Sequence, residues 1–246
     1  MAKSAILGVQ TDAQTFEESI QTLMEWAAQP QKRYVSTCPV YTLMMCREHG
    51  DVMQAVNGAD MVTADGMPIV WEQRRRGNPL AERVYGPGVM RVLCQRTAGT
   101  GLKHYFWGGM PEVTEKLVER LTSKHPDLAV AGYYSPPFAP LGDAPDAEAV
   151  ERLNASGANI VWVGLGSPKQ DLWMWQHRPV LNAPLLIGVG AAFDMLAGFK
   201  RQAPEWMQRR GLEWVFRLLQ EPRRLGRRYL VYNPRFVWEV WRENRG

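Results

Sequence analysis

Ile160-Val-Trp-Val-Gly-Leu-Gly-Ser-Pro-Lys-Gln-Asp-Leu-Trp-Met-Trp-Gln-His177 sets the terms on which the rest of the 246-residue chain is read. It opens with an apolar run of strand length, Ile160 to Val163, and closes with helical periodicity from Lys169 to His177. A glycine- and proline-bearing loop separates the two. The same unit recurs along the chain: Tyr34 to Ser36 precedes Val40 to Glu48, Met61 to Thr63 precedes Met67 to Arg76, and Leu102 to Trp107 precedes Pro111 to Ser123. Leu128 to Tyr133 and Leu185 to Val189 continue the strand series, and Ala147 to Ala155 reads as a further helix. Alternation of this kind predicts a Rossmann-like α/β fold, a mostly parallel sheet with helices on both faces.

In open α/β sheets, ligands bind where the strands end and the helices begin, so the loops after the strands carry the functional information. Those loops are Thr37-Cys38-Pro39, Ala64-Asp65-Gly66-Met67-Pro68, Gly108-Gly109-Met110-Pro111, Gly164 to Gln170 and Gly188-Val189-Gly190-Ala191. Glycine lets backbone approach a ligand, and proline in a helix's first turn forfeits only a donor that had no partner. Together they can form a cradle of N–H groups suited to a diphosphate. Each glycine alone is equally explained by the turn it makes.

Charge divides the chain. The formal net charge is +4, from 29 Lys and Arg against 25 Asp and Glu. From Phe199 to Gly246, however, twelve basic residues stand against five glutamates, a net +7, which leaves the first 198 residues at −3. Eleven of the twelve cations are arginines, suited to forked recognition of phosphate or carboxylate. They are interleaved with Trp206, Trp214, Phe216, Tyr229, Phe236, Trp238 and Trp241, so this is a folded or fold-on-contact helical appendage. The expected division is residues 1–198 as an α/β catalytic domain and residues 199–246 as an arginine-rich appendage. An exposed aromatic appendage tends to self-associate into a homo-oligomer or to find a membrane.

Several chemistries lack their residues. The three cysteines, Cys38, Cys46 and Cys94, are odd in number and unspaced for metal, reading as buried hydrophobes of a reduced, cytoplasmic compartment. No signal peptide or bilayer-spanning run is expected; the longest weakly charged stretch, Ala183 to Gly198, contains Asp194 and is short for a span. The four histidines fall on different elements, which argues against a histidine metal site. There is no phosphate-loop motif, no complete dinucleotide fingerprint and no Asp-x-Asp pair. No cofactor or metal is therefore expected, and a nucleotide diphosphate bound here would rely on protein cations. Asp65 lies where a base could face the cleft, and it suits a helix N-cap equally well. Arg74-Arg75-Arg76-Gly77 reads as a helix end matched to its dipole, and Tyr134 to Pro145 as a proline-stiffened loop.

Thr63-Ala-Asp-Gly-Met-Pro68, Arg83-Val-Tyr-Gly-Pro87, Trp107-Gly-Gly109, Val163-Gly-Leu-Gly-Ser-Pro-Lys-Gln170, Gly188-Val-Gly-Ala-Ala-Phe-Asp194, Ala203-Pro-Glu-Trp-Met-Gln208 and Gly211 to Leu225 occur in that order. This series resembles the WecG/TagA/CpsF family of bacterial glycosyltransferases from about Ile6 to Phe236. The resemblance implies a metal-independent, inverting transfer from a UDP-sugar donor to a polyprenyl-diphosphate-linked sugar acceptor in cell-envelope or exopolysaccharide synthesis. It also implies a peripheral position on the cytoplasmic face of the bacterial inner membrane, with the appendage touching an anionic surface. On this chain it implies catalytic roles for Asp65, the general base, and Thr37. Substrate contacts fall to Arg83, Gly108, Gly109, Gly164, Gly166, Lys169, Gln170, Gly190 and Asp194. Arg217, Arg224 and Arg227 would face the diphosphate leaving group, on one helical side if Pro222 does not interrupt the helix.

Two positions depart from the family pattern: Pro39 stands where relatives carry Asn, and Asp171 where Glu is usual. Proline removes an amide side chain from the first loop; Asp171 keeps the charge and shortens its reach. Other classes remain open from the residues: a noncatalytic UDP-sugar-binding protein, and a nicotinamide-dependent oxidoreductase lacking the usual fingerprint. A nucleic-acid-binding module would explain the basic appendage but not the acidic body, so no nucleic-acid partner is expected.

Overall fold

The computed structural model of the chain describes residues 2–245. Its centre is an eight-stranded sheet made of β1 (Ala2–Ile6), β2 (Val9–Ala13), β3 (Arg33–Cys38), β4 (Met61–Ala64), β5 (His104–Gly108), β6 (Val130–Tyr134), β7 (Ile160–Gly164) and β8 (Leu185–Gly188). The strands lie in the order β1-β2-β4-β3-β8-β7-β5-β6, with β1 antiparallel to β2 and the other pairings parallel. The expected mostly parallel α/β architecture is thus the observed one.

Side-chain alternation sends successive strand residues to opposite faces. Tyr105, Trp107, Val161, Val163 and Leu186 enter one core; Phe106, Ile160, Trp162, Leu185 and Ile187 enter the other. The first is covered by α2 (Val40–Glu48), α3 (Gly50–Asn57), α4 (Met67–Arg75), α7 (Ala147–Ser156) and α8 (Lys169–His177). The second is covered by α1 (Phe16–Ala27), α5 (Gly86–Thr97), α6 (Pro111–Lys124) and α9 (Ala192–Ala197). β3 and β8 are neighbours, yet the chain leaves β3 toward the first layer through α2 and leaves β8 toward the second through α9. Their loops part at the carboxyl edge and open a crevice, the usual ligand position in such sheets.

The sequence pattern did not mark the β1–β2 hairpin. Its two-residue turn places Leu7 at φ 49° and Gly8 at φ 85°, the positive-φ pair that matches hairpin twist. α1 begins with a capping box in which the Thr15 side chain accepts from the Glu18 amide and Glu18 reaches back to the Thr15 amide. The three cysteines are buried free thiols, as expected. No described helix is long and apolar enough to cross a membrane.

Beyond residue 198 the described residues form four helices: α10 (Glu205–Arg209), α11 (Glu213–Gln220), α12 (Pro222–Leu230) and α13 (Tyr232–Glu243). α13 packs on the first layer through Phe236 and Val240, which join the buried core, and Tyr232 meets Tyr41 edge-on at 5.3 Å. Ion pairs frame this contact. Arg235 pairs with Glu48, Arg47 with Glu239 at 3.2 Å, and Arg76 with Glu243. The Arg74-Arg75-Arg76 run therefore does more than complement a helix end: Arg76 also pairs with Glu72 and ties α4 to the appendage. Burial raises the Glu72 carboxyl, but hydrogen bonds from Arg75, Arg76 and Asn244 outweigh it and hold the group down at about 2.

Candidate active site

The crevice at the β3/β8 edge is a cavity of about 310 Å³ whose wall is completed by the appendage. Thr37, Asp65, Arg83, Gly164, Gly166, Gln170, Gly190 and Asp194 line it from the body, and Arg217 and Arg224 from the appendage.

Thr37 and Asp65 come together because β3 and β4 are paired in parallel, with Thr37 opposite Thr63 and Cys38 opposite Ala64. The Asp65 amide donates to the Cys38 carbonyl, closing the two strand ends side by side. Asp65 is not the N-cap of α4. Gly66 occupies that position, and the Asp65 carboxylate turns instead to Arg83, whose Nη2 donates to it at 3.3 Å. Arg83 Nε also donates to the Asp65 carbonyl at 3.1 Å. Burial pushes the Asp65 carboxyl up to about 6; Arg83 and Arg217 pull it down and Glu213 pushes it up. A carboxylate with that proton affinity, at the mouth of a cleft, is suited to taking a proton near neutral pH.

Thr37 is nearly fully buried and lines the cleft, and its hydroxyl donates to the Gly188 carbonyl at 2.6 Å. Gln170 is fully buried and its amide is spent within the protein. Nε2 donates to Ser167 Oγ at 3.1 Å and Oε1 accepts from the Gly190 amide at 2.9 Å. It therefore braces the loops after β7 and β8 against each other. Next to it, the Asp171 carboxylate accepts from Ser36 Oγ at 2.6 Å, and burial pushes it up to about 6. Pro39 caps the start of α2 and lines the cleft.

Four candidates lie elsewhere. A Cβ on Gly108 would sit 2.7 Å from the Gly164 carbonyl carbon, so this glycine is required by strand packing. One on Gly109 would meet Thr114 Oγ1 at 2.7 Å. Lys169 turns to the proline-stiffened loop, where it donates to the Ala139 carbonyl and lies 5.2 Å over the Phe138 ring. Arg227 is exposed, because α11 stops at Glu221 and α12 restarts at Pro222. A residue before proline is driven out of the helical region, and Glu221 has φ −135° and ψ 61°. The restart changes the phase, so Arg217, Arg224 and Arg227 do not share one helical side.

The same phase change turns Arg228 inward, four residues after Arg224 on the same side of α12. It lines the cleft with its guanidinium 4.2 Å over the Tyr41 ring, and its buried Nε has no hydrogen-bond partner among the described residues. Burial, with Arg217 and Arg224 nearby, lowers its proton affinity. Arg224 is paired with Glu221. Among the described residues, Arg217 and Arg228 have no carboxylate within ion-pair distance. Lys200 also lines the cleft, held between Asp194 at 3.3 Å and Glu221 at 3.5 Å. The i, i+4 spacing from Arg224 was the available signal for Arg228; Lys200 and Glu213 had none. The described residues contain no group of three or more His, Cys, Asp or Glu arranged to hold a metal ion.

Residues 4–246 match the family model described as glycosyl transferase WecG/TagA/CpsF family. The chain is 26% identical over 246 residues, 99% of its length and 94% of the relative's, to the N-acetylglucosaminyldiphosphoundecaprenol N-acetyl-beta-D-mannosaminyltransferase of Staphylococcus aureus strain MW2. The proteins of that name from strains NCTC 8325 / PS 47 and MRSA252 match to the same extent. With its sheet order, its switch-point cleft and a match over nearly its whole length, the chain belongs to the WecG/TagA/CpsF family of glycosyltransferases.

Proposed function

We propose that this glycosyltransferase moves an N-acetylmannosamine-class sugar from a UDP-linked donor to a polyprenyl-diphosphate-linked N-acetylglucosamine, in one inverting displacement, during cell-envelope polysaccharide synthesis. The acceptor and sugar class come from the names of its relatives. The observation that carries the chemistry is the opposition in one cleft of a carboxylate raised to about 6, Asp65, and two guanidinium groups, Arg217 and Arg228, that have no carboxylate partner among the described residues.

In this mechanism the acceptor hydroxyl gives its proton to Asp65 as its oxygen attacks the anomeric carbon, and the bond to the UDP oxygen breaks on the opposite side. Asp65 acts only when ionised, so turnover rises with pH through about 6 and falls below it as the carboxyl takes up its proton. Negative charge grows on the departing diphosphate. Arg217 and Arg228 meet that charge with forked donors, Lys200 and Arg224 add to the local field, and Thr37 orients the attacking group. Residues 1–198 supply the base and the loops, and residues 199–246 supply the cations.

The appendage also supports a peripheral position on the cytoplasmic face of the inner membrane, where a polyprenyl acceptor resides. Leu219, Leu230, Val237, Trp238 and Trp241 are exposed, with Arg242 stacked on Trp238 at 5.1 Å and Arg245 on Trp241 at 3.9 Å. Such Arg–Trp pairs suit the interface of an anionic bilayer, where each cation contributes on the order of 1 kcal/mol.

The test is a donor panel of UDP-sugars with a short-chain polyprenyl-diphosphate N-acetylglucosamine acceptor, reading UDP release in the presence of EDTA. Asp65→Asn should lower kcat by roughly 10² to 10⁴ while leaving donor binding near normal. Retained turnover in that variant removes Asp65 from the role, and an absolute requirement for divalent cation removes the arginines from theirs.

A further inference from the structure

The Asp65 carboxylate shares its arginine with a second acid that comes from the appendage. Arg83 Nη1 donates to Glu213 Oε2 at 2.6 Å, while its Nη2 reaches Asp65 at the longer 3.3 Å. The three side chains are 15%, 12% and 22% exposed for Arg83, Glu213 and Asp65, so the cluster is largely withdrawn from water. Arg83 Nε is occupied by the Asp65 carbonyl, and the guanidinium lies 4.3 Å over the Tyr85 ring. Its plane is therefore fixed from several sides. Glu213 sits in the first turn of α11, and the apposition exists only while that helix covers the cleft.

We propose that Glu213 is a positioning residue for the transfer reaction: by taking the shorter bond to Arg83 it holds the guanidinium off Asp65 and keeps that carboxylate available to receive the acceptor's proton. This deepens the function proposed above and rests on Asp65 being the base. Were Glu213 neutral, Nη1 would no longer be drawn away, and within its fixed plane Arg83 would close the 3.3 Å contact to Asp65. A carboxylate closely paired with an arginine loses proton affinity, by about one to three pH units. Losing the negative charge beside Asp65 acts in the same direction. The other groups facing Asp65 are Arg217 from α11, which lowers its proton affinity, and Cys38 from β3, whose buried thiol stays protonated. Glu213 is thus the charge that opposes the two arginines. The appendage thus does not merely bring cations to the leaving group; it also conditions the base on the opposite wall.

An acid in the first turn of a helix has an ordinary use, complementing the dipole and latching the helix to Arg83, and the experiment separates the two roles. Initial rates of UDP release are measured against pH for the full chain, Glu213→Gln, Glu213→Asp and Asp65→Asn, with thermal denaturation as the control for folding. Glu213→Gln should move the acidic limb of kcat/KM to lower pH by about one unit. It should also lower plateau kcat roughly threefold, because a weaker base accepts the proton less readily, with little change in KM for either substrate. Glu213→Asp, which restores the charge, should bring the limb back toward the parent. A limb that stays in place in Glu213→Gln, with KM raised, makes Glu213 a latch only and overturns the proposal. If instead Asp65→Asn keeps its turnover, the base assignment itself fails, an outcome distinct from an unmoved limb in an enzyme that still requires Asp65.

Discussion

α13 and the α11–α12 pair belong to one appendage and carry the same kinds of residue, but they are held in opposite ways. α13 buries Phe236 and Val240 in the sheet's first core and surrounds them with ion pairs, Arg235 with Glu48 and Glu239, and Glu239 in turn with Arg47. Every residue of α11 keeps some of its surface in solvent, and α12 buries only Leu225. Arg224 of α12 pairs with Glu221 inside the appendage, but three other arginines follow the same division. Arg235 of α13 is satisfied by carboxylates, whereas Arg217 and Arg228 line the cleft without them, among the described residues. Paired arginines anchor the appendage, and the proposed mechanism assigns the unpaired ones to an anion. A buried guanidinium nitrogen without a partner, as in Arg228, is costly, and an anionic ligand bound in the cleft would repay that desolvation.

Phe236→Ala should cost about 3 to 5 kcal/mol of α13 docking, as for other buried phenylalanines. Limited proteolysis should then cut residues 199–246 away while the sheet domain survives; an appendage that stays protected would mean that the ion pairs, not Phe236, hold it. On the α12 side, Arg228→Ala should lower kcat by roughly 10- to 100-fold, the worth of one charge-assisted contact to the leaving group. Arg227→Ala, its exposed neighbour, should stay within about threefold of the parent, the scale of a surface substitution. The reverse ranking would restore Arg227 to the diphosphate and undo the phase argument. Smallest is the interfacial effect. The pair Trp238→Ala and Trp241→Ala should weaken co-sedimentation with anionic vesicles severalfold and leave turnover of a short, soluble acceptor unchanged, since neither tryptophan lines the cleft. Unaltered sedimentation would move the membrane contact off α13.

Most of the architecture was readable because it is written in local pattern. β3, β4, β5, β7 and β8 coincide with apolar runs, and α2 and α8 occupy the spans that periodicity predicts, Val40–Glu48 and Lys169–His177. The β1–β2 hairpin was not readable: Ala2–Ile6 holds Lys3 and small residues, and the strand exists because β2 already offers an edge beside β4. α5 hid behind Gly86 and Gly88, residues that argue against a helix until its start is seen packed so close to Val189 that a Cβ on Gly86 would lie 2.5 Å from the Val189 carbonyl oxygen. At the site, Asp65 stood evenly between cap and base until the position of Gly66 settled the capping, because two strand ends and Arg83 had to be placed before the carboxylate had a direction. The glycines were ambiguous for the same reason. Gly164 and Gly166 line the cleft, while Gly108 and Gly109 of an equally glycine-rich loop serve packing.

The sequence by itself determined the alternation of strand and helix, the glycine- and proline-bearing loops that follow the strands, and the division of charge between an acidic body and an arginine-rich appendage. Those properties are local or additive, and a chain can be read for them one window at a time. Only the tertiary structure decided which arginine faces the cleft, because a single break at Glu221–Pro222 rotates everything after it and exchanges Arg227 for Arg228. It alone brought Glu213 to Arg83 across 130 residues of chain. Charge in a sequence has only a sign and a count; desolvation, pairing and direction, on which its chemistry depends, arise when distant segments close over the same crevice.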